Sequence, residues 1–167
     1  TKFAREGKTR GLFKNRMVVS LLTGEPEYLD PLKDDAPEDW LVTGYPYQQI
    51  AMPQHKAFLA AYEKKYNDYP RLNSVVGYAT MKAIAAGITK AGSVETDKLM
   101  AAFKGLGFDS PFGPVVFRAQ DNQSTMGIFV GRTTVANGKG LMKTGTYIDG
   151  AQLTLPDADI ARLRTAK

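Results

Sequence analysis

Residues 17–22, Met-Val-Val-Ser-Leu-Leu, are a short apolar run rich in β-branched side chains. That is the pattern of a buried strand in a parallel sheet, and no other segment constrains the fold as tightly. Thr23-Gly24-Glu25-Pro26 breaks the run and places a loop at its carboxyl end. A second strand is expected over residues 40–44, Trp-Leu-Val-Thr-Gly, running into Tyr45-Pro46-Tyr47, where proline ends ladder pairing. The acidic stretch between them, Glu25 to Asp39, matches no calcium-loop spacing and reads as a solvated loop with one helical turn.

The period then becomes helical. Phe58, Tyr62 and Tyr66 fall on one stripe of a helix over 53–66, with Pro53 in its first turn. His55, in that same turn, is expected to face solvent. Asn67-Asp68-Tyr69-Pro70 is a turn. A helix over 74–91 presents Val75, Tyr78, Met81, Ile84 and Ile88 as its apolar side, with small residues that admit a close neighbour and Gly92 as its stop. A third helix covers 96–104, with Thr96 as its N-cap. Residues 115–117, 127–130 and 141–143 return to period two, and Asn137-Gly138 marks a tight hairpin. Helices are also expected at residues 2–12 and 157–164.

Several chemistries lack their residues. There is no cysteine and one histidine, so thiolate zinc sites, cysteine nucleophiles and His-rich metal sites are excluded. No nucleophile elbow, Walker loop or HExxH motif is present. Gly105-Leu106-Gly107 follows a helix, the reverse of the order that a dinucleotide fingerprint needs. Asp109 with Ser110, and Asp149 with Asp157, read as turn capping. Residues 1–16 hold six basic side chains against Glu6, which accounts for the whole net charge of +5. That is a solvated basic face, unaccompanied by any nucleic-acid-binding motif, and no nucleic-acid partner is expected. No catalysis, cofactor or metal is expected either.

The run Phe58-x3-Tyr62-x3-Tyr66-x3-Pro70, then Gly77-Tyr78-Ala79, Ala83-Ile84-x2-Gly87 and Ala91-Gly92-Ser93, resembles the periplasmic branched-chain amino-acid and amide binding proteins. So do Leu99-x3-Phe103-Lys104-Gly105, the segment 108–113, Val116-Phe117-Arg118 before Asp121-Asn122-Gln123, and Trp40-Leu41-Val42-Thr43 before Tyr-Pro-Tyr. The resemblance runs from about Phe3 to about Tyr147. It implies an α/β, type I periplasmic-binding fold, with parallel sheets flanked by helices and a C-terminal β-hairpin. Two lobes joined by three crossings would trap a small solute and deliver it to the membrane permease of an ABC importer, in the periplasm and without chemistry.

Family members are longer, so the chain is expected to be a C-terminal portion, partnered by a missing N-terminal half or a second copy. On this resemblance residues 1–46 end lobe two, 47–127 are the C-terminal part of lobe one, and 128–167 make the third crossing, hairpin and tail. It further implies ligand-binding roles for Thr23, Gly24 and Glu25, whose loop in some members sets an acid against the solute's ammonium group. Tyr45 and Tyr47 are candidate cleft aromatics, and Asn73 sits where a lobe-one helix begins. Glu25 paired with ammonium would mean an amino acid; Glu25 in solvent would leave the tyrosines to an aromatic acid or an uncharged amine. A ligand-sensing regulatory domain of the same fold, or a dimerisation module that has lost ligand binding, are the alternative readings.

Overall fold

The computed structural model describes residues 1–165. Helix α1 (Lys2–Thr9) precedes strand β1 (Val19–Gly24), the single turn α2 (Pro26–Leu29) and strand β2 (Leu41–Gly44). Helices α3 (Pro53–Tyr66), α4 (Leu72–Ala91) and α5 (Thr96–Phe103) follow, then β3 (Gly107–Ser110) and β4 (Gly113–Val116). Strands β5 (Ile128–Ala136) and β6 (Lys139–Ile148) form the hairpin, and α6 (Asp157–Thr165) ends the chain.

The main sheet has the order β1-β2-β5-β6, and β3-β4 is a separate two-stranded ribbon. The α/β architecture is as expected. β1 and β2 run parallel, while β5 and β6 add to β2 in antiparallel fashion. Asn137 and Gly138 take φ of 51° and 72°, the left-handed pair that a two-residue hairpin turn requires. β1 and β2 converge so closely that a Cβ on Gly44 would lie 2.2 Å from the Gly24 carbonyl, so only glycine fits there.

Several local expectations are corrected. β1 is an edge strand, and its Val19, Leu21 and Leu22 are exposed; β2 alone flanks it among the described strands. The buried stripe of α4 is Val75, Ala79, Ala83 and Gly87, while Tyr78, Met81, Ile84 and Ile88 face outward. The helix is apolar nearly all round, and α5 packs on the small side: a Cβ on Gly87 would sit 2.4 Å from the Phe103 ring. Gly77 has open space instead. Glu95, not Thr96, is the N-cap of α5, and α1 ends at Thr9. β3 has no period-two signature of its own and is held by pairing with β4. In the acidic stretch, Leu29, Leu32 and Ala36 are buried, so it is part of the core and not a solvated loop.

An aromatic cluster joins the helices to the main sheet. Phe112, in the turn between β3 and β4, packs its ring 5.2 Å from Phe129 of β5 and 6.1 Å from Tyr147 of β6. On its other side lie Tyr45 at 6.0 Å and His55 at 6.2 Å.

Candidate functional site

The parallel pair ends together, with Gly24 registered on Gly44. From there the chain turns into α2 through Glu25 and leaves the sheet through Tyr45-Pro46-Tyr47, the Tyr45 amide donating to the Gly24 carbonyl at 3.2 Å. Glu25, Tyr45 and Tyr47 therefore lie at the carboxyl ends of parallel strands, where open α/β sheets bind ligands.

Glu25 is about nine-tenths buried, and its backbone starts α2 while its side chain caps nothing. Among the described residues no hydrogen-bond donor or cation meets its carboxylate. Burial, and then the nearby Glu27 carboxylate, push Glu25 above the usual carboxylate range. Both carboxylate oxygens of Glu27 are buried without a hydrogen-bond partner among the described residues, whereas those of Glu25 are not fully enclosed. Two uncompensated acids side by side are unfavourable in a low-dielectric setting unless a cation joins them.

Tyr45 is fully buried, and its hydroxyl is hydrogen-bonded to His55 Nε2 at 2.7 Å, either atom donating according to tautomer. His55 is buried completely, which corrects the expectation of a solvent-facing first turn. Its helix starts against the aromatic cluster, so the ring turns inward. Burial pushes the His55 imidazole down to about 4, and Nδ1 has no partner among the described residues. The imidazole is therefore neutral at neutral pH. Because its folded value lies below the ordinary 6.5, the stability it contributes is full above that value and lost as pH falls towards 4. Between those limits the loss is about 1.4 kcal/mol per pH unit. Urea unfolding of wild type and His55→Gln between pH 4 and 7 checks this. Wild type is expected to show the steeper decline, and parallel profiles would refute it.

A cavity of about 270 Å³ opens beside the strand ends, walled by Gly24, Tyr45, Tyr47, Asp30 and Tyr69 and closed by the β5–β6 turn. It gathers three of the six residues that the sequence nominated. Glu25 lies next to that wall in sequence but does not line it. Thr23 is half-buried, its hydroxyl 2.6 Å from that of Ser20, and Asn73 is exposed in the first turn of α4; neither lines the cavity. Glu27, Asp30, His55, Tyr69 and Arg71 were not nominated. Their roles come from contacts across the fold, and Tyr69 carries no local signal beyond its turn. Among the described residues, no cluster of His, Cys, Asp and Glu could hold a metal ion, and no helix is long and apolar enough to cross a membrane.

A family model described as periplasmic binding protein matches residues 1–139. The fold is similar to an ABC-type branched-chain amino acid transporter from Rhodopseudomonas palustris, at 21% identity and TM-score 0.71, over 84% of this chain and 38% of that one. It is also similar to an ABC-transporter solute-binding protein from Rhodopseudomonas palustris, solved with 3,4-dihydroxybenzoic acid. There the identity is 23% and the TM-score 0.70, over 89% of this chain and 42% of the other. A leucine-, isoleucine-, valine-, threonine- and alanine-binding protein from Brucella ovis, in a closed conformation, matches at 15% identity and TM-score 0.72, over 92% and 41%. The chain thus spans about two-fifths of the length of these structures. No curated protein matches it. With a family model matched over most of its length and the same fold in solved solute-binding proteins, the chain belongs to the periplasmic binding protein family.

Proposed function

We propose that this chain forms part of a periplasmic protein that binds a small solute without chemistry and hands it to the permease of an ABC importer. The observation that carries the reading is a pair of acids at the carboxyl ends of a parallel strand pair: Glu25, whose carboxylate has no hydrogen-bond or ion-pair partner among the described residues, beside Glu27, whose carboxylate oxygens are buried without one. A desolvated charge calls for a counter-charge, and the ammonium group of an amino acid or related amine supplies one. An aromatic acid bearing only a carboxylate would meet Glu25 and Glu27 with like charge. The amino-acid class is therefore favoured over the benzoate class that some structural neighbours were solved with.

The division into lobe two (1–46), lobe one (47–127) and third crossing with hairpin and tail (128–167) follows the same reading. The remaining part of the cleft would come from a preceding half of the protein or from a second copy. The outward apolar face of α4 supports this, as does the groove of about 950 Å³ between α3 and α4, lined by Phe58, Tyr62, Tyr66, Tyr78 and Met81. An exposed apolar surface of this kind marks an interface.

Thermal unfolding of the full-length protein with L-leucine, L-alanine, an aliphatic amide, benzoate and 4-hydroxybenzoate tests the reading. An amino acid at a hundredfold excess over its Kd is expected to add about 2.7 kcal/mol of stability. Stabilisation by the aromatic acids alone would overturn the solute class. Silence across the panel would favour a structural or dimerisation module.

A further inference from the structure

Tyr47 stands in a crossing segment that no strand or helix restrains, yet its ring is held in a layered stack. The Tyr47 and Tyr69 rings are 4.5 Å apart and 2° from parallel. The Arg71 guanidinium carbon lies 3.8 Å over the Tyr69 ring. One ring face cannot hold both groups at these separations, so the layers run Tyr47, Tyr69, Arg71. Asp30, just past α2, fastens the stack: the Tyr69 hydroxyl donates to its carboxylate, and Arg71 Nε lies 3.8 Å from it. Arg71 also donates to Asp68 at 3.2 Å and to the Tyr69 carbonyl. Gln48 Nε2 donates to the Tyr47 hydroxyl at 3.2 Å.

Resting on the solute-binding reading above, we propose that Tyr69 and Arg71, anchored by Asp30, are positioning residues that set the Tyr47 ring as the aromatic wall receiving the solute's side chain. Asp30, Tyr47 and Tyr69 all line the cavity beside the strand ends. The Asp30 charge is answered within the stack by the Arg71 guanidinium and the Tyr69 hydroxyl. Burial, and then the bond to Asp30, push the Tyr69 phenol well up, so it remains a neutral donor. The stack is thus electrically balanced and offers the flat face of an aromatic ring to an aliphatic side chain, whereas Glu25, next in sequence to Gly24 of the cavity wall, would answer the ammonium group. The division of labour predicts that the stack governs selectivity among amino acids more than affinity for the class.

The test is calorimetric binding of L-leucine and L-alanine to the full-length protein, with solute-free thermal unfolding alongside. Tyr69→Phe keeps the flat ring but loses the hydroxyl bond to Asp30, leaving Arg71 as the remaining anchor, and is expected to lower the leucine-to-alanine affinity ratio less than loss of the ring does. Tyr69→Leu removes the flat partner and should reduce that ratio roughly three- to tenfold, the range one aromatic pair is worth. Arg71→Lys keeps the charge, loses the planar layer and should fall between them. If Tyr69→Leu fails to fold, Arg71→Ala strips the outer layer and must lower the ratio in the same direction. An unchanged ratio in variants that lose only thermal stability, or an equal loss for both solutes, overturns the proposal while leaving solute binding intact. If wild type binds neither solute, the amino-acid reading fails and this proposal falls with it.

Discussion

Glu25→Gln is expected to raise the unfolding temperature of the solute-free protein at neutral pH while weakening amino-acid binding by about 2–5 kcal/mol, the range for truncating one partner of a buried charge pair. The two effects have one cause. Without solute, the partly desolvated Glu25 carboxylate has no counter-charge and Glu27 adds like charge, so the folded state carries a penalty that the amide removes. With solute, the same carboxylate is the ammonium partner, and the amide cannot replace its charge.

The pH dependence follows from the raised pKa. The folded protein holds the Glu25 proton at pH values where the unfolded chain has released it. The penalty is therefore present above the folded pKa and relieved as pH falls through it towards 4.5, so wild type and variant should converge in stability on acidification. Over the same window wild-type affinity should fall, because a protonated Glu25 no longer answers the ammonium. Calorimetric titration and thermal unfolding of both proteins between pH 4 and 8 decide it. A Gln variant that binds undiminished, or that is less stable than wild type at pH 7, would remove Glu25 from the site.

Phe112→Ala is expected to cost about 3–5 kcal/mol, the usual range for emptying an aromatic position in a core. Phe112 is 3% exposed and touches Tyr45, His55, Phe129 and Tyr147 at once. It is the plug by which the β3–β4 turn fastens the helical part of the chain to the main sheet. Its loss should lower the unfolding temperature by roughly 10 °C, taking about 2–4 °C per kcal/mol for a chain of this length. It should also loosen Tyr45, which stands at the strand ends. Denaturant unfolding gives the number; a change below about 1 kcal/mol would mean that the cluster relaxes to fill the space.

Features governed by neighbouring residues along the chain are legible in the sequence itself. The Asn137-Gly138 turn, the break after β1, Pro53 opening α3 and Gly92 stopping α4 depend on local backbone preference, and each stands where its residues place it. The strand-end loops are legible as well, because glycine, proline and charge cluster there. Family membership follows from the order of such motifs, and with it the nomination of Gly24, Tyr45 and Tyr47, which share one cavity wall.

What the sequence could not decide is which side of an element would be covered. Hydrophobic period locates a face only when the opposite face is polar. α4 is apolar on both sides, and packing against α5 chose its small-residue stripe. β1 is apolar on both sides too, and its place at the sheet edge left it exposed. His55 looks like any polar residue in a first turn until Tyr45 and Phe112 enclose it. Tyr69 and Asp30 become neighbours of Tyr47 only when α2 and the start of α4 meet. Burial and partnership are properties of what arrives from distant sequence, so the local conformations belong to the sequence, and the charges left unpaired and the rings stacked beside them belong to the tertiary structure.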